Sequence, residues 1–144
     1  MTKHKDQQDI VLSGILRVHA RGFGFLQADD KKQFTQDVFI PKHLTLHAVD
    51  GDRVEVLVNT ESYSEKGPEG KVIAILERSR THLAGIISDC NEGGYYSIYS
   101  PILGKEKKIV LSPTKERELR FGDRIVMEVT SWGNKEEPTY CKYS

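Results

Sequence analysis

Two short motifs recur in this chain at a single spacing, and that recurrence limits the fold more than any other feature. Ser13-Gly14-Ile15-Leu16 returns as Ala84-Gly85-Ile86-Ile87, and Gly51-Asp52-Arg53-Val54 returns as Gly122-Asp123-Arg124-Ile125, both at an offset of 71. Val38-Phe39-Ile40 falls on Ile109-Val110-Leu111 at the same offset, and Gly22-Phe23-Gly24-Phe25 falls on Gly93-Gly94-Tyr95-Tyr96. The register therefore reads without a gap. Independent anchors at one offset predict two copies of one small domain. The expected division is a polar tail at 1–12, a first domain at 13–80 and a second at 81–144.

Each copy reads as short strands. In the first, 12–19 and 22–28 form a hairpin, 37–41 a third strand, 53–59 a fourth and 71–77 a fifth, with Val54, Val56 and Val58 alternating inward. Residues 42–50 make a short helix or loop, and Thr60–Gly70 a polar loop. Five strands with an irregular insert between the third and fourth predict an all-β OB-type Greek-key barrel. An SH3-like barrel or another small five-stranded sheet fits the strand count as well; the aromatic placement favours the OB form. In the second copy Arg124–Val129 repeats the fourth strand. Its fifth strand is either abbreviated to Pro138–Ser144 or cut short, which suggests a fragment of a longer chain.

The runs Arg21-Gly22-Phe23-Gly24-Phe25-Leu26 and Asp37-Val38-Phe39-Ile40-Pro41 carry the chemistry. Side chains alternate across a strand, so Phe23 and Phe25 share one face while Gly24 and Leu26 take the other. Phe39 opposes Val38 and Ile40 in the same way. Rings on the polar face of adjacent strands make a platform on which unpaired bases stack. The competing arrangement turns the phenylalanines into the core and Leu26 to solvent. Arg17, His19, Arg21, Lys42 and Arg53 are the polar and cationic residues expected to flank the rings, although Arg53 fits a solvated surface charge equally well. Tyr95, Tyr96 and Tyr99 are weaker candidates in the second copy and read equally well as core or turn residues.

The chain has 21 basic and 21 acidic residues. That balance argues against a protein that grips duplex DNA by neutralising phosphates, but not against stacking beside a local basic stripe. No apolar stretch approaches the length of a membrane span, and the polar, charged opening is unlike a secretory signal. The expectation is a cytoplasmic protein with no membrane partner. Cys90 and Cys141 have no Cys-x-x-Cys spacing; a single disulfide would use both, but two buried or idle thiols fit a cytosolic chain better. His43 and His47, four apart, lack companions at zinc-like spacing, so no metal site and no cofactor are expected. Asp29-Asp30 form no carboxylate cluster, and no catalytic constellation stands out.

Together, Gly14-Ile15-Leu16-Arg17, the Gly22–Leu26 run and Asp37–Pro41 resemble a cold-shock domain. With Gly51-Asp52-Arg53-Val54, Glu69–Val72, Leu76-Glu77-Arg78 and a second copy behind them, they look like the paired N-terminal cold-shock domains of the bacterial ribonuclease R and ribonuclease II exoribonucleases. The Phe-Ile-Pro ending favours the ribonuclease R side. Val18 stands where free cold-shock proteins carry tryptophan, and Pro41-Lys42 replaces their His-Phe pair, so fewer rings remain. What the resemblance implies is single-stranded RNA binding that recruits substrate for a 3′→5′ exoribonuclease. It also implies a separate catalytic domain, a cluster of aspartates with magnesium, as partner. This chain supplies no such cluster and is not expected to be an enzyme by itself. A protein-interaction or scaffold OB module, or a free-standing cold-shock-like nucleic-acid chaperone, is the alternative.

Overall fold

In the computed structural model of this chain, residues 9–30, 37–64 and 67–144 are described, those at 60–64 by backbone alone. Two compact units divide between Ser79 and Arg80. The first is built from β1 (Asp9–Val18), β2 (Gly24–Ala28), β3 (Val38–Ile40), β4 (Arg53–Ser64) and β5 (Gly67–Glu77). The second uses β6 (His82–Cys90), β7 (Tyr96–Tyr99), β8 (Ile109–Leu111), β9 (Arg124–Ser131) and β10 (Thr139–Tyr143). Both are closed five-stranded barrels with the same connectivity, β1-β2-β3-β5-β4 and β6-β7-β8-β10-β9, closed by the β1–β4 and β6–β9 pairs. The third and fifth strands of each barrel run parallel and all other pairs antiparallel. That is the OB arrangement, and it discards the other five-stranded sheets.

Period-two alternation explains the cores. Leu12, Leu16, Leu26, Val38, Ile40, Val54, Val56, Val58 and Val72 line the first barrel, and Phe23, Phe25 and Phe39 do not join them. Leu83, Ile87, Ile98, Ile109, Leu111, Ile125, Met127 and Cys141 line the second. Gly14 sits in the first wall because a Cβ there would collide with the Gln27 carbonyl oxygen of the crossing strand. Gly85 holds the matching place against Ile98.

Several expectations need correction. The first strand begins at Asp9, so residues 9–12 are not tail; residues 1–8 lie outside the described set. The polar Thr60–Gly70 stretch is not all loop, since β4 continues to Ser64 and β5 begins at Gly67, with Ser64 paired to Gly67; residues 65 and 66 lie outside the described set. The tips of the two arms are joined by backbone pairing of Tyr63 with Pro68 and of Ser64 with Gly67. The short helix or loop expected at 42–50 is a 3₁₀ turn, Lys42–Leu44, followed by Leu46 and His47 with positive φ. Residues 31–36 lie outside the described set.

The offset of 71 survives into the last strand. Phe39 pairs with Glu69 as Val110 pairs with Tyr140, and Val56 pairs with Val72 as Met127 pairs with Tyr143. The short β10 therefore closes its barrel in the same register as β5. The offset fails at one place. Gly24 pairs with Ile40 but Tyr96 pairs with Leu111, so the second hairpin runs at an offset of 72. The added residue is Ser88, which sits at a bulge in β6 between Ile87 and Asp89. Phe23, Gly24 and Phe25 thus correspond to Tyr95, Tyr96 and Ser97.

Asp52 explains the conserved spacing of the Gly-Asp anchor within the chain. Its carboxylate, 1% exposed, accepts the Val49 and Ser79 N–H groups at 2.8 Å each and the Arg78 guanidinium at 3.1 Å. Its main-chain carbonyl accepts Leu16 N–H from β1 at 2.9 Å. Asp123 repeats the pattern, accepting Arg120 N–H on its side chain and Ile87 N–H on its carbonyl, each at 2.9 Å.

Removing the Asp52 carboxylate orphans several donors at once, which costs far more than the net worth of the bonds. Asp52→Ala is expected to destabilise the first barrel by about 3 kcal/mol, read as a lower midpoint in urea denaturation followed by far-UV circular dichroism. A second outcome concerns the thiols. Cys90 is exposed and Cys141 buried, and burial pushes the Cys141 thiol up to about 11. A folded pKa above the unfolded one stabilises at neutral pH and ceases to do so as pH climbs toward that value. Iodoacetamide near neutral pH should therefore label Cys90 in the native protein and Cys141 only after denaturation, a difference mass spectrometry counts directly.

Candidate functional site

Four rings meet on the outer surface of the first barrel. Phe23 and Phe25 lie 6.0 Å apart edge-on, and Phe39 completes the triangle at 5.7 Å from Phe23 and 5.6 Å from Phe25. His19 stacks on Phe23 at 4.5 Å with the planes 10° apart. The three phenylalanines are half-buried, largely against one another, while Gly24, Leu26, Val38 and Ile40 beneath them face the core. Each such ring pair contributes about 0.5–1.5 kcal/mol beyond its buried area. The platform is therefore set before any ligand arrives.

Local chain geometry places it. Arg17 pairs with Phe25, and Phe25 with Phe39, so strand pairing alone brings these positions side by side. The hairpin closes with His19 N–H donating to the Phe23 carbonyl and Gly22 N–H to the His19 carbonyl, both at 2.8 Å. Gly22, at φ 103°, makes that turn, and a Cβ on it would strike the Lys42 stem 2.8 Å away. Lys42 consequently lies over the turn, beside the rings. His19 Nδ1 accepts the Arg21 N–H at 3.1 Å, which fixes the imidazole plane and puts the neutral ring's proton on Nε2.

The cations divide. Arg17 reaches Asp50 at 3.2 Å yet keeps 53% of its side chain exposed, and Asp50 also accepts Val18 N–H at 2.8 Å. An exposed pair of this kind is worth at most about 1 kcal/mol, so it orients Arg17 without committing it. Arg21 and Lys42 are exposed next to the turn. Arg53 belongs elsewhere: it pairs with Ile15, one outward row beyond Arg17, and its guanidinium is bound to Asp29 at 2.8 Å. Arg53 is a surface ion pair at the margin, not part of the ring cluster.

Sequence reasoning missed two residues. Asp50 positions Arg17, and Glu69 stands beside Phe39 across the parallel β3–β5 pair. Glu69 is thirty positions along the chain from Phe39 and joins it only through a non-local strand pairing. No local signal announces that neighbour.

The second barrel lacks the platform. At the places of Arg17, His19, Phe23, Phe25 and Phe39 stand Asp89, Asn91, Tyr95, Ser97 and Val110. Asn91 donates its side-chain N–H to Ser97 Oγ at 2.9 Å where the first barrel stacks a ring. Tyr95 is exposed and alone of the three tyrosines sits at a platform position; Tyr96 packs against the core, and Tyr99 pairs with Ile86 further along the strand. Among the described residues, no three His, Cys, Asp or Glu side chains come together as metal ligands.

Residues 14–75 match the ribonuclease B OB domain. The chain is 31% identical over 127 residues to ribonuclease R of Chlamydia pneumoniae, covering 88% of this chain but 19% of that protein. Among solved structures, Mycoplasma genitalium RNase R in complex with ribose methylated single-stranded RNA aligns with a TM-score of 0.73 at 21% identity, covering 92% of this chain and 21% of that one. Yeast Ssd1, a pseudonuclease, aligns with a TM-score of 0.65 at 15% identity, covering 98% of this chain and 23% of that one. The last two likenesses establish the shared fold.

The His19–Phe23 stack predicts an upfield ring-current shift of the His19 ring protons. Phe23→Leu should return them toward ordinary imidazole positions, a change that two-dimensional proton–nitrogen and proton–carbon spectra resolve.

Proposed function

Because the chain is a relative of the ribonuclease R family and carries that family's OB domain at residues 14–75, we propose that its first barrel binds single-stranded RNA. The carrying observation is the packed triangle of Phe23, Phe25 and Phe39 on an outward sheet face. Each exposed ring face accepts any base, so recognition tolerates sequence. Base stacking is worth about 1–3 kcal/mol per ring, hence roughly 3–9 kcal/mol gross, from which ordering of the strand is subtracted. Arg17, Arg21 and Lys42 lie where the backbone phosphates of such a strand pass, and His19 extends the stack.

In this reading the chain binds and does not hydrolyse. It is the RNA-recruiting part of a cytoplasmic ribonuclease R-like 3′→5′ exoribonuclease, whose catalytic domain lies outside these barrels. The RNA bound by the structurally similar Mycoplasma protein supports that assignment by analogy of fold. A second role is favoured for the second barrel. Asp89 in place of Arg17 repels phosphate and only one of the three ring positions stays aromatic, so that surface suits packing against protein better than stacking of bases.

Simultaneous replacement of Phe23, Phe25 and Phe39 by alanine is expected to weaken binding of a fluorescent single-stranded RNA by more than a hundredfold, while Tyr95→Ala leaves it within a factor of about two. Three phosphate contacts predict a log–log salt slope of about −2. Fluorescence anisotropy across a salt series measures both. RNA affinity unchanged in the triple variant would remove the platform from the function.

A further inference from the structure

The ring platform has two unlike sides. One outward row across four neighbouring strands reads Arg17, Phe25, Phe39 and Glu69, because each pairs directly with the next. Glu69 in turn pairs with Asn59 on β4, where the outward alternation continues. A cation therefore borders the rings on the β1 side, and a carboxylate followed by a carboxamide borders them on the β5 side. Glu69 is only half-exposed.

A half-exposed carboxylate is a poor neighbour for phosphate and a good acceptor for base donors. A strand lying across the rings is accordingly biased to run its phosphates past Arg17 and to turn its base edges toward Glu69. The four bases then differ. Guanine offers N1–H and the N2 amino group side by side, a pair that meets both oxygens of a carboxylate. Cytosine and adenine offer one amino group next to a ring nitrogen acceptor. Uracil offers a single N3–H between two carbonyl oxygens, which the carboxylate repels.

We propose that Glu69 is a specificity-determining residue that makes the platform prefer guanine over uracil at the base stacked on Phe39. This rests on the RNA-binding reading above and adds a base preference to it. The rings supply sequence-tolerant affinity, and Glu69 supplies the discrimination.

The test compares short single-stranded oligonucleotides by anisotropy at low salt: all uridine, alternating guanosine and uridine, and alternating inosine and uridine. Inosine keeps N1–H and lacks the N2 amino group. The intact protein is expected to bind the guanosine oligonucleotide about tenfold more tightly than the all-uridine one, with inosine between them. Glu69→Gln should abolish that ranking while binding all-uridine RNA at least as well as before, since it removes a negative charge. Binding of all three with equal affinity by the unaltered protein overturns the guanine preference and leaves RNA binding standing. A ranking that persists in Glu69→Gln overturns the role of Glu69. Binding of none overturns the platform reading and this inference with it. The inosine comparison needs no variant, so misfolding of Glu69→Gln cannot obscure the result.

Discussion

A single buried carboxylate organises the first barrel. Asp52 gathers donors from the turn before β4, from Ser79 beyond the end of β5 and from Arg78, while its own carbonyl accepts from β1. Strands distant in sequence are thereby locked at one corner, and the register of the whole sheet follows from that corner. Buried charge is tolerated only when its acceptor sites are filled, which makes the residue type and its flanking turn hard to vary. Asp123 occupies the same corner in the second barrel, partly exposed, its carboxylate accepting Arg120 N–H and its carbonyl Ile87 N–H. The anchor that survives between the two copies is thus a structural one.

Two residues earlier, the two corners diverge. Asp50 caps the end of β1 and holds Arg17 beside the rings, whereas the equivalent position in the second barrel is Phe121, 79% exposed. Arg17 itself becomes Asp89. Ring, cation and the group that orients the cation have all changed while the corner beneath them has not. Fold and surface chemistry have separated along the same strands, as expected when core alternation fixes one face of a sheet and leaves the other open.

How much of this was legible in the chain follows from which contacts are local. The hairpin that carries Phe23 and Phe25 is written in consecutive residues, and its inward partners Leu26, Val38 and Ile40 declare the buried face. The ring platform was readable for that reason. The bulge at Ser88 was also signalled: at an offset of 71 Leu26 maps onto polar Ser97, but at 72 it maps onto Ile98, which the core needs. The doubled Gly93-Gly94 masked the shift, because either glycine can stand for Gly22. The extended arms of β4 and β5 were hidden by composition, since their tips are joined by backbone pairing of Tyr63 with Pro68 and of Ser64 with Gly67. Glu69 was out of reach altogether, because its place beside Phe39 exists only once the parallel β3–β5 pair has formed.

A balanced net charge is compatible with this architecture because attraction and repulsion are distributed by row instead of summed over the chain. Arg17 borders the rings from β1 and Arg21 and Lys42 lie at the β1–β2 turn, while Asp29 neutralises Arg53 and Glu69 borders the rings from β5. Stacking in turn works at contact distance and is indifferent to the total charge. Exposed cations on this scale are screened within about 8–10 Å at physiological salt, so they act on a strand already seated and draw little from afar. Such a surface holds RNA modestly by itself. Its advantage appears when it is joined to other binding elements, where the second contact is made at high effective concentration and no single platform has to bind tightly.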